Sequence, residues 1–140
     1  MTIAVDFDGT IVQHEYPKIG KEIPFAINTL KKFQSEGHHT LILWTVREGE
    51  LLDEAVEFCR SRGLFFYAVN SEFPEGEFEG VSRKPAVDLF IDDRNLGGLP
   101  DWGVIYRMVM SGNPFKPLSD DFISDEQKPR KKRGFFGFGK

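Results

Sequence analysis

Five short apolar runs rich in β-branched and aromatic residues, Ile3–Phe7, Thr40–Trp44, Phe65–Val69, Leu89–Asp92 and Val104–Arg107, alternate with longer stretches of a different texture. Apolar runs this short, without polar residues at every second position, fit strands covered on both faces, and such strands belong to parallel sheets. The intervening stretches repeat their apolar residues at helical spacing. In the first, Pro24 suits an opening helical position, Phe25, Ile27, Leu30 and Phe33 form a stripe, and Gly37 can end the helix. In the second, Leu51, Leu52, Ala55, Val56 and Cys59 form the stripe and Gly63 the stop. Strands alternating with helices require right-handed crossovers. The pattern therefore predicts an α/β chain with a doubly wound, Rossmann-like parallel sheet of five strands and helices on both faces.

A chain of 140 residues with 40% hydrophobic and 29% charged side chains has the size and composition of one globular domain with a sizeable core. The core is expected over residues 1–112, followed by an extension over 113–140. No apolar stretch approaches the roughly 20 residues that span a bilayer, and the N-terminus runs into a strand without a charged leader, so a cytoplasmic location is expected. Cys59 is the single cysteine, sits on an apolar stripe and reads as core packing. The net charge of −4 hides an asymmetry: the last thirteen residues hold Lys128, Arg130, Lys131, Lys132, Arg133 and Lys140 but no acid. Residues 1–127 thus keep all 22 acids against the remaining 12 of 18 bases, a net charge of −10. Binding a polyanion depends on neutralising phosphates, so an acidic core argues against nucleic acid as its partner.

The chemistry concentrates at strand ends. Asp6-Phe7-Asp8-Gly9-Thr10 follows the first apolar run and sets two carboxylates where a buried strand opens into a turn. Side chains two apart on a strand share a face. Two carboxylates about 4 Å apart repel by roughly 4 kcal/mol at an effective dielectric near 20, so the pair needs a cation, a shared proton or solvent. A hard divalent ion such as Mg2+ meets that need, taking one or two carboxylates together with phosphate oxygens and water. Thr45 ends the second run, Lys84 precedes the fourth, and Asp92-Asp93 end it. In an open parallel sheet, ligands bind beyond the carboxyl ends of the strands, where the strand order reverses.

With these four stations in this order over residues 3 to about 107, the chain resembles the haloacid dehalogenase superfamily of phosphotransferases, whose first motif is Asp-x-Asp-x-Thr. Response-regulator receiver domains also combine an acidic pair, a Thr and a Lys. Their acidic pair comes first and the phosphorylated Asp two strands later, so the order here excludes them. The resemblance implies that Asp6 is the nucleophile forming an aspartyl-phosphate and that Asp8 is the general acid and base. It implies that Asp6, the Asp8 carbonyl and Asp92 hold Mg2+, with Asp93 binding through water or orienting the shell. Thr45 and Lys84 would grip the phosphoryl oxygens, and Arg83 is an immediate competitor of Lys84. Gly9 permits the tight turn and Thr10 can fix Asp8 by a hydroxyl bond. Arg47 either reaches substrate or pairs with Glu48 or Glu50, and Thr45 has the alternative of capping the helix that follows it.

Superfamily cap domains are inserted after the first motif or between the second and third; both places are short here, so a capless phosphatase is expected. Residues 13–23 can form only a small flap, in which His14 and Tyr16 are candidates for contacting a leaving group. Residues 70–82 form a loop carrying Glu72, Glu75, Glu77 and Glu79. An open site implies a macromolecular substrate able to reach in, or a neighbouring subunit of a homo-oligomer that supplies the missing cover; the expected substrate is a phosphorylated small molecule or an exposed phosphoryl group on a macromolecule. The basic tail ends with three phenylalanines among residues 134–140, a composition suited to an anionic membrane surface, to RNA, or to no partner at all. Hydrolysis of a phosphate monoester is the leading expectation. A phosphotransferase or mutase of the same superfamily, and a non-catalytic phosphate-binding scaffold, remain the alternatives.

Overall fold

The computed structural model describes residues 1–74, 80 and 82–115. Four strands, β1 (Thr2–Val5), β2 (Thr40–Leu43), β3 (Ala68–Val69) and β4 (Leu89–Ile91), form one parallel sheet in the order β3-β2-β1-β4. The chain steps outward from β1 to β2 to β3 and then crosses to the other side of β1 to add β4. The order thus reverses beside β1, and the register pairs Val5 with Leu43 on one side and with Ile91 on the other. One residue further on, the Asp6 amide donates to the Ile91 carbonyl at 3.0 Å, so the chains leaving β1 and β4 start as neighbours.

Among the described residues three helices cover the sheet, α1 (Ala26–Ser35) between β1 and β2, α2 (Gly49–Arg60) between β2 and β3, and α3 (Trp102–Met110) after β4. Ala26, Ile27, Leu30 and Phe33 of α1 join Trp102, Ile105 and Val109 of α3 and Ile3, Val5, Leu41, Leu43 and Ile91 of the sheet in one buried cluster. Each Val, Leu, Ile or Phe side chain among them taken fully from water contributes about 1.5–3 kcal/mol, which makes this cluster the main support of the sheet. From α2, Ala55 and Cys59 are buried and Leu52 and Val56 half-buried against the same cluster. Burial pushes the Cys59 thiol up to about 12, in keeping with core packing rather than reactivity.

Four expectations change. Val104–Arg107 is not a strand but the middle of α3, because Asp101 caps that helix by accepting from the Val104 amide at 3.0 Å. Four strands, not five, are present among the described residues. Phe25 is not on the α1 stripe: it is the residue before the helix, at φ 68°, with 71% of its surface exposed. The third strand is confined to Ala68–Val69 of the Phe65–Val69 run. Helix α2 ends at Arg60, and the turn that follows closes, as expected, on a left-handed Gly63 (φ 80°), with Leu64 donating back to the Cys59 carbonyl.

Between β1 and α1 the chain forms a short flap. Gln13 donates to the Lys21 carbonyl and Ile23 to the Ile11 carbonyl, tying residues 11–13 to 21–23. The loop acids Glu75, Glu77 and Glu79 and the whole tail from Lys116 lie outside the described residues. Glu72, which is described, accepts from the Ala86 amide at 3.1 Å. Among the described residues no helix is long and apolar enough to cross a membrane.

Candidate active site

The parallel register delivers Asp6 and Asp92 to the same end of adjacent strands, and Asp93 follows. One carboxylate oxygen from each of Asp6, Asp92 and Asp93 lies within 4.8 Å of the others. Thr10 organises the group: its hydroxyl donates to Asp6 Oδ2 at 2.9 Å and accepts from the Asp93 amide at 3.1 Å. The expected Thr10–Asp8 bond is replaced by this bridge from Thr10 to Asp6. Trp102 fixes the bridge from below, its indole N–H donating to the Thr10 carbonyl at 3.1 Å, so α3 supports the turn after β1. Asp92 is held by the Arg94 amide, which donates to its Oδ1 at 2.8 Å.

Gly9 has a steric reason to be glycine. It adopts φ 83°, and a Cβ there would collide with the Asp93 carboxylate. The backbone of the turn is otherwise satisfied locally: Gly9 donates to the Val12 carbonyl, while Ile11 and Val12 donate to that of Phe7.

Burial is the largest influence on the Asp6 carboxyl. With the negative charge of Asp92 and a hydrogen bond shared with Asp93, it outweighs the Thr10 hydroxyl and the Phe7 backbone and pushes Asp6 from an ordinary 3.8 up to about 7. Three close carboxylates in a half-buried place form a hard, all-oxygen donor set with unbalanced charge. That is the environment a small divalent cation neutralises, and Asp6, Asp92 and Asp93 are the residues that would hold it.

Asp8 is not a member of this trio. Its carboxylate is buried and grips Arg47 with both oxygens, Nε at 2.7 Å from Oδ2 and Nη2 at 2.8 Å from Oδ1. Arg47 has no exposed surface. Its remaining N–H groups donate to the carbonyls of Pro17 (3.1 Å), Lys18 (3.0 Å) and Leu51 (3.4 Å). All five guanidinium donors are thereby engaged. The guanidinium also lies between two rings, 5.2 Å from the centroids of Phe7 and of Tyr16. Asp8 holds the Arg47 guanidinium above its ordinary value. Arg47 therefore neither pairs with Glu48 or Glu50 nor keeps a donor for a phosphoryl group: its partner is the second acid of the first motif. Removing one member of a buried pair of this kind typically costs about 3–5 kcal/mol, because the other charge is left stranded.

Thr45 does not cap α2, whose preceding residue is Glu48. Its hydroxyl accepts from the Arg47 amide at 3.2 Å, closing a small turn, and its own proton remains to donate. Asn70, which the sequence did not single out, sits in the left-handed region at φ 50° at the end of β3. Its Oδ1 accepts from the Thr45 amide at 2.8 Å and its Nδ2 donates to the Arg47 carbonyl at 3.1 Å, holding the Thr45–Arg47 turn from both ends. An Asn placed just past an apolar run, where left-handed backbone is tolerated, was the available signal.

Lys84 and Arg83 are exposed, and the Lys84 ammonium lies over the Phe90 ring, 5.6 Å from its centroid. Among the described residues it forms no ion pair with Asp6, Asp92 or Asp93. His14 is exposed at the flap. Two groups thus emerge: Asp6, Thr10, Asp92 and Asp93 form one, and Asp8, Arg47, Thr45 and Asn70 the other. They are joined through the Asp6–Thr10 turn.

A parallel α/β sheet with its acids gathered at the point of strand reversal defines the general class. A solved structure of a conserved protein from Bacteroides thetaiotaomicron is 67% identical to this chain, with a TM-score of 0.77, and the match covers 81% of this chain and 92% of that one. The chain belongs to the same family as that conserved protein. Neither the protein-family models nor the curated proteins contain a match.

Proposed function

We propose that this protein is a capless, Mg2+-dependent phosphatase of the haloacid dehalogenase type, which hydrolyses a phosphate monoester through an aspartyl-phosphate on Asp6. The observation that carries the proposal is the convergence of Asp6 with Asp92 and Asp93, from two adjacent strand ends far apart in sequence. The four described strands then belong to a doubly wound core with helices on both faces, working in the cytoplasm.

An Asp6 oxygen attacks phosphorus, the bond from phosphorus to the leaving oxygen breaks, and that oxygen takes a proton from Asp8, which must first take one up from water against the Arg47 guanidinium that otherwise holds it as a carboxylate. Water then attacks the phosphorus of the aspartyl-phosphate, giving its proton to Asp8 and releasing inorganic phosphate with Asp6 restored. Thr10 orients Asp6 through its hydroxyl bond, and Thr45 offers a neutral donor to the phosphoryl group. Lys84 supplies positive charge to the same group in this scheme. A bound Mg2+ would supply charge neutralisation for the phosphoryl oxygens and the carboxylates.

The substrate is a phosphorylated small molecule or an exposed phosphoryl group on a macromolecule. With wild-type protein, Mg2+ and an aryl phosphate, release of inorganic phosphate is expected, and Asp6→Asn should lower it by at least about 10³-fold without loss of fold. An Asp6→Asn protein as active as wild type would refute the assignment. Transfer of the phosphoryl group to an added alcohol or sugar instead of water would mark a phosphotransferase.

A further inference from the structure

We propose that Arg47 is a positioning residue that joins Asp8 to the flap, so that the placement of this acid and the position of residues 16–18 change together. The inference rests on the phosphatase assignment above and adds to it a control point remote from phosphorus.

The geometry is that of a fork with three attachments. One side of the guanidinium takes both oxygens of Asp8, at 2.7 and 2.8 Å. The other holds the Pro17 and Lys18 carbonyls, at 3.1 and 3.0 Å, and the third attachment is the Leu51 carbonyl in the first turn of α2. The Tyr16 ring closes over the guanidinium from the flap, while Phe7, between the two acids of the first motif, lies on it as well. A planar, bidentate partner fixes the plane of a carboxylate as well as its position, which a lysine ammonium does not do. Each carboxylate oxygen has two lone-pair sites, so the fork occupies one per oxygen and leaves one on each for substrate or water. No donor of Arg47 is left for a phosphoryl group, so its influence passes through Asp8. The flap contributes backbone carbonyls, and Tyr16 is 47% exposed, so a molecule that displaces the flap also loosens the fork.

The consequence is a dependence on the leaving group. An arginine that merely holds the fold affects every substrate alike. One that acts through the proton donor matters most where the departing oxygen most needs a proton. The experiment compares kcat/KM for 4-nitrophenyl phosphate and for a simple alkyl phosphate in wild type, Asp8→Asn, Arg47→Lys and Tyr16→Leu. Arg47→Lys keeps a charge in the buried place. Tyr16→Leu alters an exposed ring and serves where the Arg47 variant fails to fold.

Arg47→Lys and Asp8→Asn are expected to lose about 10²-fold or more with the alkyl phosphate and on the order of tenfold or less with the nitrophenyl ester. Tyr16→Leu should show the same bias at smaller size. Free guanidinium added to Arg47→Ala should restore the alkyl reaction preferentially. Equal losses with both esters in Arg47→Lys and Tyr16→Leu would overturn the positioning role while leaving the phosphatase intact. Wild-type protein inactive on both esters would overturn the phosphatase and this inference with it.

Discussion

Asp6 is the residue at which charge and burial conflict most. Its carboxyl is raised from 3.8 to about 7, so the folded chain binds a proton more tightly than the unfolded chain between those values. By linkage, the cost of ionising Asp6 is absent below about pH 4, grows as the pH rises and is complete above about pH 7. Metal-free protein should therefore lose stability over that interval, and Asp6→Asn should remove that part of the loss. A divalent cation held by Asp6, Asp92 and Asp93 should raise the melting temperature more at pH 8 than at pH 5. Melting curves with and without Mg2+ at the two pH values check this, and an equal shift at both would contradict it. The acids themselves were legible, since acids at the ends of apolar runs declare a site. Their partners were not: Arg47 lies 39 positions from Asp8, and a sequence offers only the adjacent Glu48 and Glu50 as its mates. The bridging role of Thr10 was equally hidden, because its alternative partners are set by the turn and not by spacing.

Among the elements, α3 shows how a strand signal can mislead. Trp-Gly-Val-Ile-Tyr-Arg-Met-Val-Met carries β-branched and aromatic residues throughout, so a short apolar run is visible in it. Trp102, Ile105 and Val109 nevertheless recur at helical spacing, and Asp101 after Pro100 is a helix-start signal that outweighs local β propensity. Asp101→Ala removes the acceptor for the Val104 amide and should destabilise the protein by about 1 kcal/mol, measured by urea denaturation. No change would show that the cap does not hold α3. Since Trp102 at the start of α3 donates to Thr10, fraying there should also reach the acidic site. The first two helices were legible from their stripes, but Phe25 was misplaced because an apolar residue at the right spacing can still fall just outside a helix.

At the scale of the molecule, sheet order decides which acids meet. Alternating strands and helices foretold a parallel sheet, but a placement of β4 next to β1 rather than beyond β3 cannot be read from periodicity. That placement is what brings Asp92 and Asp93 to Asp6. The basic, phenylalanine-bearing terminus is a separate question of partners. If it docks on an anionic surface, as its charge suggests, full-length protein should sediment with phosphatidylserine vesicles and a chain ending at Gln127 should not, with salt weakening the binding. Equal sedimentation of both would remove the membrane from its partners.

The most direct test of the account is to look for the phosphoryl group itself. Protein turning over an aryl phosphate in Mg2+ is quenched in acid, digested, and the peptide carrying Asp6 is analysed by mass spectrometry. One added phosphoryl group on Asp6 is predicted, present only with metal and lost in Asp6→Asn. Steady hydrolysis in Mg2+ with that peptide unmodified, and undiminished after Asp6→Asn, would contradict it.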